Sequence, residues 1–102
     1  MSYKLIIRPE AEADLREAFL WYDEQLPGLG ESFLSELDRE LAGIVVHPER
    51  HGRIRRDIRR ALLRKFPYGV FYVVKPGRIV VLALLHTSRD PRLLGRRVAG
   101  GP

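Results

Sequence analysis

The stretch YGVFYVVKPGRIVVLALLH, residues 68–86, contains two apolar runs separated by Lys-Pro-Gly-Arg. Aromatic and β-branched residues fill both runs and favour strands, whereas the Pro-Gly pair is typical of a tight turn. We therefore predict strands at Tyr68–Val74 and Ile79–His86 that pair as an antiparallel hairpin. Because both runs are almost continuously apolar, we expect burial on both faces. Helices would cover one face, and part of the other would await a partner.

Two helices are predicted upstream of this hairpin. From Glu10 to about Leu26, and again from about Gly30 to Val46, apolar residues recur every three to four positions. Pro9 stands where the first helix can begin, and Pro27-Gly28 separates the two helices. A break this short predicts an antiparallel helical hairpin.

Shorter elements complete the predicted order. Tyr3–Arg8 has the alternation of a strand, His47–Arg56 is predicted to be a polar loop, and Ile58–Phe66 to be a further strand. Asp90-Pro91 suits the N-cap and first position of a short C-terminal helix through Arg97. The fold class is therefore α+β, as one domain over the whole chain. An N-terminal strand and a helical hairpin precede a mainly antiparallel sheet of about three further strands and a short terminal helix.

Composition excludes several classes of function. The chain has no cysteine, which excludes disulfides, thiolate zinc sites and a cysteine nucleophile. His47 and His51 are four residues apart, but Pro48 lies between them and no carboxylate cluster accompanies them, so we predict no metal and no cofactor. No apolar stretch approaches the roughly 18 residues of a membrane span, and no signal-peptide pattern is present. We expect a soluble, cytoplasmic protein with no membrane partner.

Charge is divided unevenly along the chain. Residues 1–49 carry four basic and eleven acidic side chains, a net of −7, whereas residues 50–102 carry fourteen basic and two acidic, a net of +12. Fifteen of the eighteen cations are arginines, whose planar fork suits carboxylate and phosphate. This asymmetry favours a polyanionic partner, either nucleic acid or an acidic protein segment. The structural alternative is a solvated basic face that protects a sheet edge.

Two segments hold the candidate contact residues. Eight cations lie within residues 50–65, close to Phe66 and Tyr68, and basic groups beside aromatic rings suit nucleic acid or an acidic peptide. After the last predicted strand, His86 and Arg89 have the residue types of a proton donor and a phosphate clamp. In the alternative interpretation His86 simply ends the strand and Arg89 pairs with Asp90 or a helix acid.

The sequence resembles the ParE/RelE superfamily, the toxins of bacterial type II toxin–antitoxin modules. The resemblance spans nearly the whole chain. In order, it is carried by the Tyr3–Arg8 strand running into PEAEADL at 9–15, the helical hairpin, FPYGVFY at 66–72, Ile79–Leu85, and HTSRDP at 86–91. It implies a compact sheet carrying a helical hairpin, and a cognate antitoxin with an acidic or amphipathic C-terminal segment that folds on the toxin.

The superfamily divides by target. RelE-like members cleave messenger RNA on the ribosome. Their cleavage chemistry relies on a basic residue directly after the tyrosine of the segment that corresponds to residues 66–72 here, and on basic or phenolic groups near the C-terminus. Here Gly69 follows Tyr68, and no tyrosine follows Tyr72. The Phe-Pro-Tyr sequence and the 86–91 ending are closer to ParE-like members, which poison DNA gyrase and are not known for a catalytic site of their own. The resemblance therefore implies a gyrase-inhibiting toxin.

Two alternatives remain open at this stage. One is a ribosome-dependent mRNA endoribonuclease, in which Arg64, Lys65 and Arg89 hold phosphate and His86 acts as general acid. The other is a non-catalytic nucleic-acid-binding module. For the toxin, the residues predicted to contact target or antitoxin are Arg60, Arg64, Lys65, Tyr68, His86 and Arg89.

Overall fold

The apolar periodicity of residues 9–46 produces two packed helices. In the computed structural model, which describes residues 3–90, 92, 94, 95 and 97, α1 spans Pro9–Gln25 and α2 spans Leu29–Val46. Pro9 occupies the first turn of α1 together with the acidic Glu10 and Glu12. Proline lacks the N–H that this turn leaves unpaired, and carboxylates there interact favourably with the helix dipole. Both helices are confirmed within about one residue of their predicted bounds.

The turn between the helices is held by a side chain of the first one. Asp23 Oδ1 accepts hydrogen bonds from the backbone N–H groups of Gly28 at 3.0 Å and Gly30 at 3.4 Å. Gly28 has a φ of 92°, in the left-handed region that favours glycine. Asp23 thereby satisfies N–H groups that the start of α2 leaves without a helical partner.

Five strands form one sheet in the described part of the chain. They are β1 Lys4–Ile7, β2 Arg53–Arg55, β3 Ile58–Leu62, β4 Tyr68–Lys75 and β5 Arg78–His86. Their spatial order is β1-β5-β4-β3-β2. Only β1 and β5 are parallel, and the other neighbours pair antiparallel. The predicted α+β class and mainly antiparallel sheet are confirmed.

Three segments differ from the sequence-based prediction. Arg53–Arg55 pairs with β3, although it lies in the predicted polar loop. All three of its side chains are exposed, so no alternation marks it as a strand. β3 ends at Leu62 rather than Phe66, because the N–H groups of Arg64 and Lys65 donate to Glu36 of α2 instead of a strand. Of the C-terminal helix predicted from Asp90-Pro91 through Arg97, residues 94, 95 and 97 are helical, Arg92 lies in a turn, and residues 91, 93 and 96 lie outside the described residues.

The sheet carries a core on each face. The helices bury one face, where Phe33 and Ile44 of α2 pack with Val70 and Tyr72 of β4. The opposite face, which we call the open sheet face, has a smaller cluster that includes Phe71. The members of this cluster are Ile58, Phe71, Leu82, Ala83, Leu85 and Leu94. A register shift between β4 and β5 forms a β-bulge here, so that the consecutive Leu82 and Ala83 both belong to this cluster.

Alanine at Gly30 is expected to destabilise the protein by about 2 kcal/mol, because overpacking a tight contact costs this much. Its Cβ would lie 2.8 Å from the Phe19 ring and 2.9 Å from the Phe19 carbonyl oxygen of α1. Alanine at Gly43 in the same helix meets its nearest atom, on Arg50, at 3.6 Å. We expect that variant to be more stable by about 0.5–1 kcal/mol through helix propensity. Urea unfolding of both variants checks the opposite signs, and a loss of stability of the same size in both would contradict the close helix contact.

Candidate functional site

The open sheet face contains a groove of about 400 Å³. An apolar floor and a charged rim make up its lining. The floor consists of Ile6, Ile58, Val73, Val80 and Leu82, and the rim of Arg8, Arg56, Asp57, Lys75 and Arg78. We call these ten residues the basic groove. They come from β1 and the residue after it, the β2–β3 turn, β3 and the β4–β5 hairpin.

Strand alternation explains why apolar and basic residues meet in this groove. Val73 and Val80 are cross-strand partners, and Lys75 and Arg78 are the next pair on the same face, beside the hairpin turn. Val73 and Val80 pack against the buried cluster of the open sheet face but remain only partly buried themselves. The groove is therefore the part of this face that the described residues leave uncovered.

The β2–β3 turn brings further charge to the groove. Arg55 pairs with Ile58, so Arg56 and Asp57 form a two-residue connection. Arg56 has a φ of 50°, which is rare for a side chain other than glycine, asparagine or aspartate. Both residues are exposed and line the groove. A strained turn thus places one cation and the one acidic residue of the groove at its edge.

The rim of the groove is strongly cationic. Arg8 forms an ion pair with Glu10 at 3.6 Å. Arg56, Lys75 and Arg78 are exposed, and in the described part of the chain none of the three has an ion-pair partner. Cations around an apolar floor are complementary to an amphipathic segment with acidic side chains.

Most of the site residues predicted from sequence lie elsewhere, at the opposite end of the β4–β5 hairpin. Tyr68 and His86 are cross-strand partners whose rings stand 5.3 Å apart. The Thr87 N–H donates to the Pro67 carbonyl at 2.8 Å, which joins the two loops at this end. We call the group Arg64, Lys65, Tyr68, His86 and Arg89 the sheet-end cluster. The structure brings these five residues to one end of the sheet, whereas the lysine and arginine of the β4–β5 turn lie at the other.

Arg60 is the predicted site residue that lies apart from the sheet-end cluster. It pairs with Phe71 and is exposed on the open sheet face. A Cβ on Gly69 would lie 3.3 Å from Arg60 Cγ, so the arginine stem runs across the glycine. This contact explains why a residue without a side chain fits directly after Tyr68.

Hydrogen bonds at the end of β5 orient the His86 ring, whereas the nearby Arg89 side chain is exposed. The Ser88 N–H donates to His86 Nδ1 at 3.1 Å, so the neutral ring carries its proton on Nε2. Asp90 pairs with Arg92 at 2.7 Å and accepts its backbone N–H, and these hydrogen bonds lower the Asp90 pKa. The suggested Arg89–Asp90 pair is therefore wrong: within the described residues, Arg89 has no ion-pair partner.

One arginine of the predicted basic cluster has a structural role instead. Arg59 donates to the carbonyls of His51 at 2.7 Å and Glu49 at 3.3 Å. The buried Tyr72 hydroxyl donates to the Pro48 carbonyl at 2.6 Å, and burial is the main cause of its raised pKa. These three hydrogen bonds attach the loop after α2 to the sheet, so Arg59 is not available to a partner.

Sequence reasoning missed Arg8, Lys75 and Arg78 as members of a site. They were outside the dense cluster of cations at 50–65, and two of them flank a turn, where charged residues are ordinary. The sequence could nonetheless have placed two of them. Residues two apart in a strand share a face, so Lys75 lies on the face of Val73 and Arg78 on that of Val80. Only the position of β1 beside β5 brings Arg8 to them.

No metal site and no membrane-spanning helix occur in the structure as far as it is described. Histidine and acidic side chains within residues 3–90 and at 92, 94, 95 and 97 form no group of three or more suited to a metal ion. Neither α1 nor α2 combines the length and apolarity needed to cross a bilayer.

Comparison with known proteins places this arrangement in a family. The chain matches the family model of the ParE toxin of the type II toxin–antitoxin system, parDE, over residues 5–91. A chain in the solved structure of the chromosomal ParDE TA system from P. aeruginosa has the same fold. Its TM-score is 0.73 at 19% sequence identity, over 82% of this chain and 95% of that one. No curated protein sequence is significantly similar. Because the family match covers most of the sequence, the chain belongs to the ParE toxin family of type II toxin–antitoxin systems.

Proposed function

We propose that this chain is a cytoplasmic toxin that inhibits DNA gyrase and is neutralised by a cognate antitoxin. Family membership supports the toxin and the expectation of an antitoxin. The basic groove is the observation that carries the neutralisation part, because an apolar floor left open on a sheet face is a surface for another chain. The target is proposed from the resemblance to gyrase-directed members.

The antitoxin segment that suits the basic groove is amphipathic. Each large apolar side chain buried on the floor contributes about 1.5–3 kcal/mol, and acidic side chains beside it meet the cationic rim. A segment that is disordered before binding satisfies both requirements, since it folds only when its apolar residues find a surface. Such a segment is the acidic or amphipathic C-terminal segment that the family resemblance implies for the antitoxin.

Target contact is assigned to the sheet-end cluster and Arg60. Tyr68 and Lys75 stand at opposite ends of the eight-residue strand β4, about 23 Å apart at the rise of a strand. Tyr68 packs on the helix side of the sheet, whereas the basic groove opens on the other face. An antitoxin in the groove and a target at the sheet-end cluster would therefore use different surfaces, whereas Arg60 lies on the same face as the groove.

Expression of the chain with and without the reading frame beside its gene tests this function. Alone, the chain should arrest growth and cause gyrase-dependent DNA breaks, and the purified protein should inhibit supercoiling by gyrase. Coexpression of the neighbouring product should restore growth, and the two should copurify. Growth arrest with intact DNA and normal supercoiling would contradict gyrase as target.

The same experiment separates the two alternatives. Mapping transcript ends after induction detects an mRNA endoribonuclease, and intact messages would exclude that activity. A nucleic-acid-binding module would bind DNA or RNA with an affinity that falls linearly in log salt and would not require an antitoxin. The absence of such binding near physiological ionic strength would exclude a nucleic-acid-binding function.

A further inference from the structure

A second concave site lies between α1 and the end of the β4–β5 hairpin. Its volume is about 410 Å³, and Glu17, Trp21, Tyr22, Pro67, Tyr68 and His86 line it. We call it the aromatic pocket. It shares Tyr68 and His86 with the sheet-end cluster and no residue with the basic groove.

Aromatic rings form a continuous wall in this pocket. Ring centroids are 5.1 Å apart for Trp21 and Tyr22, 6.1 Å for Tyr22 and Tyr68, and 5.3 Å for Tyr68 and His86, all edge-to-face. Trp21 keeps 54% of its surface exposed although its neighbour Tyr22 is buried. Half-exposed tryptophans that flank a cavity are typical of contact residues, because a large rigid ring loses little entropy on binding.

One carboxylate, that of Glu17, lines the pocket beside these rings. Glu17 precedes Trp21 by four residues, so both lie on one face of α1. The Tyr68 pKa is raised chiefly by burial and next by the Glu17 carboxylate. Asp14 also raises the pKa of Tyr68, whereas Arg89 lowers it. Asp14 is itself paired with Arg97, so the carboxylate available to a ligand is that of Glu17, which lines the pocket and has no ion-pair partner within the described residues.

Electron-rich ring faces next to a carboxylate suit a cationic side chain. We infer that the aromatic pocket binds a lysine or arginine side chain of a partner protein. A nucleic acid is disfavoured here, because phosphate would meet Glu17. The inference goes beyond the proposed function: it assigns the sheet end a second kind of contact, of opposite sign to that of the basic groove, and holds whichever protein is the target.

Trp21 provides a direct test, because it is the single tryptophan of the chain. Its fluorescence should change saturably when the full chain is titrated with blocked Gly-Arg-Gly or Gly-Lys-Gly. Cation–π contacts at partly exposed sites are weak, so we expect Kd values on the order of millimolar. The matched Gly-citrulline-Gly peptide, which keeps the shape of arginine without its charge, should bind about tenfold more weakly.

Two variants with the same change in charge identify the site. Glu17→Gln should weaken binding of the arginine peptide about fivefold or more, since it removes the carboxylate of the pocket. Glu24→Gln lies three residues after Trp21 but does not line the pocket, and it should leave the affinity within about twofold. Circular dichroism checks that both variants are folded.

Three results would overturn the inference. They are no saturable change with either cationic peptide, equal binding of the citrulline peptide, and an equal effect of the two substitutions. Failure of the proposed target would appear separately, as normal supercoiling by gyrase in the presence of the chain.

Discussion

Replacing Lys75 and Arg78 together by glutamate is expected to weaken antitoxin binding about 100-fold. Both side chains are exposed on the rim of the basic groove. Each reversal removes an attraction to an acidic segment and adds a repulsion, at roughly 0.5–1 kcal/mol for each contribution. The four contributions amount to about 2–4 kcal/mol, and 1.4 kcal/mol is about tenfold in Kd.

The fold is expected to tolerate this double substitution. Lys75 and Arg78 are cross-strand partners beside the turn, so two like charges already face each other there. Two glutamates preserve that arrangement with the opposite sign. Neither cation forms an ion pair within the described residues, so the free energy of unfolding should change by less than about 1 kcal/mol.

Calorimetric titration of the toxin with its antitoxin measures the effect. The control is Arg16→Glu with Arg39→Glu, which changes the net charge equally on the exposed surface of the two helices. The control should bind the antitoxin with nearly unchanged Kd. In cells, the antitoxin should no longer rescue growth from the groove variant, which remains toxic. Equal weakening by both double variants would mean that net charge, and not the groove, determines binding, and wild-type affinity of the groove variant would exclude the groove.

Local sequence was sufficient for most of the fold. The hairpin at 68–86 and the two helices were predictable because each buries a long, regular apolar pattern, and long patterns leave little choice of secondary structure. Their observed bounds differ by one residue or so from the prediction. β2 was not predictable, because three exposed residues carry no periodicity, and its existence depends on β3 as a neighbour.

The pairing of strands that are distant in sequence could not be predicted from local sequence patterns. The parallel placement of β1 on β5 joins residues more than seventy positions apart, and no residue of Tyr3–Arg8 specifies its partner strand. Beyond the end of β1, side chains complete the edge of β5. Asp14 accepts the Leu84 N–H at 3.0 Å, and Arg97 donates to the Leu82 carbonyl at 2.9 Å and pairs with Asp14.

The basic character of the candidate site could be predicted from the sequence, but the residues that form it could not. The cationic C-terminal half correctly indicated a basic surface, and the continuous apolar runs indicated a sheet face open to a partner. The density of cations at 50–65 directed attention to Arg60, Arg64 and Lys65, however, whereas the groove is completed by Arg8, which follows β1, and by Arg78 of β5. A count of charges along the sequence cannot predict a site whose side chains come from distant segments of the chain.

Replacing Glu36 by alanine is expected to destabilise the protein by about 3 kcal/mol. Glu36 is 8% exposed on α2, the one charged residue buried in the described part of the chain. Its carboxylate accepts the backbone N–H of Arg64, and that of Lys65 at 3.1 Å, where β3 has ended. Hydrogen bonds to a charged acceptor are worth about 1.5–3 kcal/mol each, and alanine would leave both N–H groups without this partner.

Two further variants separate the hydrogen bonds from the loss of a charge. Glu36→Gln keeps one acceptor oxygen and should cost about half as much as Glu36→Ala. Glu31→Ala removes an exposed carboxylate from the same helix and should change the free energy of unfolding by about 0.5 kcal/mol or less. Urea unfolding should therefore rank the three variants in stability as Glu31→Ala, then Glu36→Gln, then Glu36→Ala.

Amide hydrogen exchange at Arg64 and Lys65 locates the effect. In the wild-type chain both N–H groups should exchange slowly, although they lie in a loop with exposed side chains, because a buried carboxylate holds them. In Glu36→Ala they should exchange much faster, while N–H groups in the middle of β4 change only in proportion to global stability. Unchanged exchange at both positions would contradict the assignment. The loop that presents Arg64 and Lys65 would then be ordered by the packing of Leu63 and Phe66, both buried in the helix-side core, and not by Glu36.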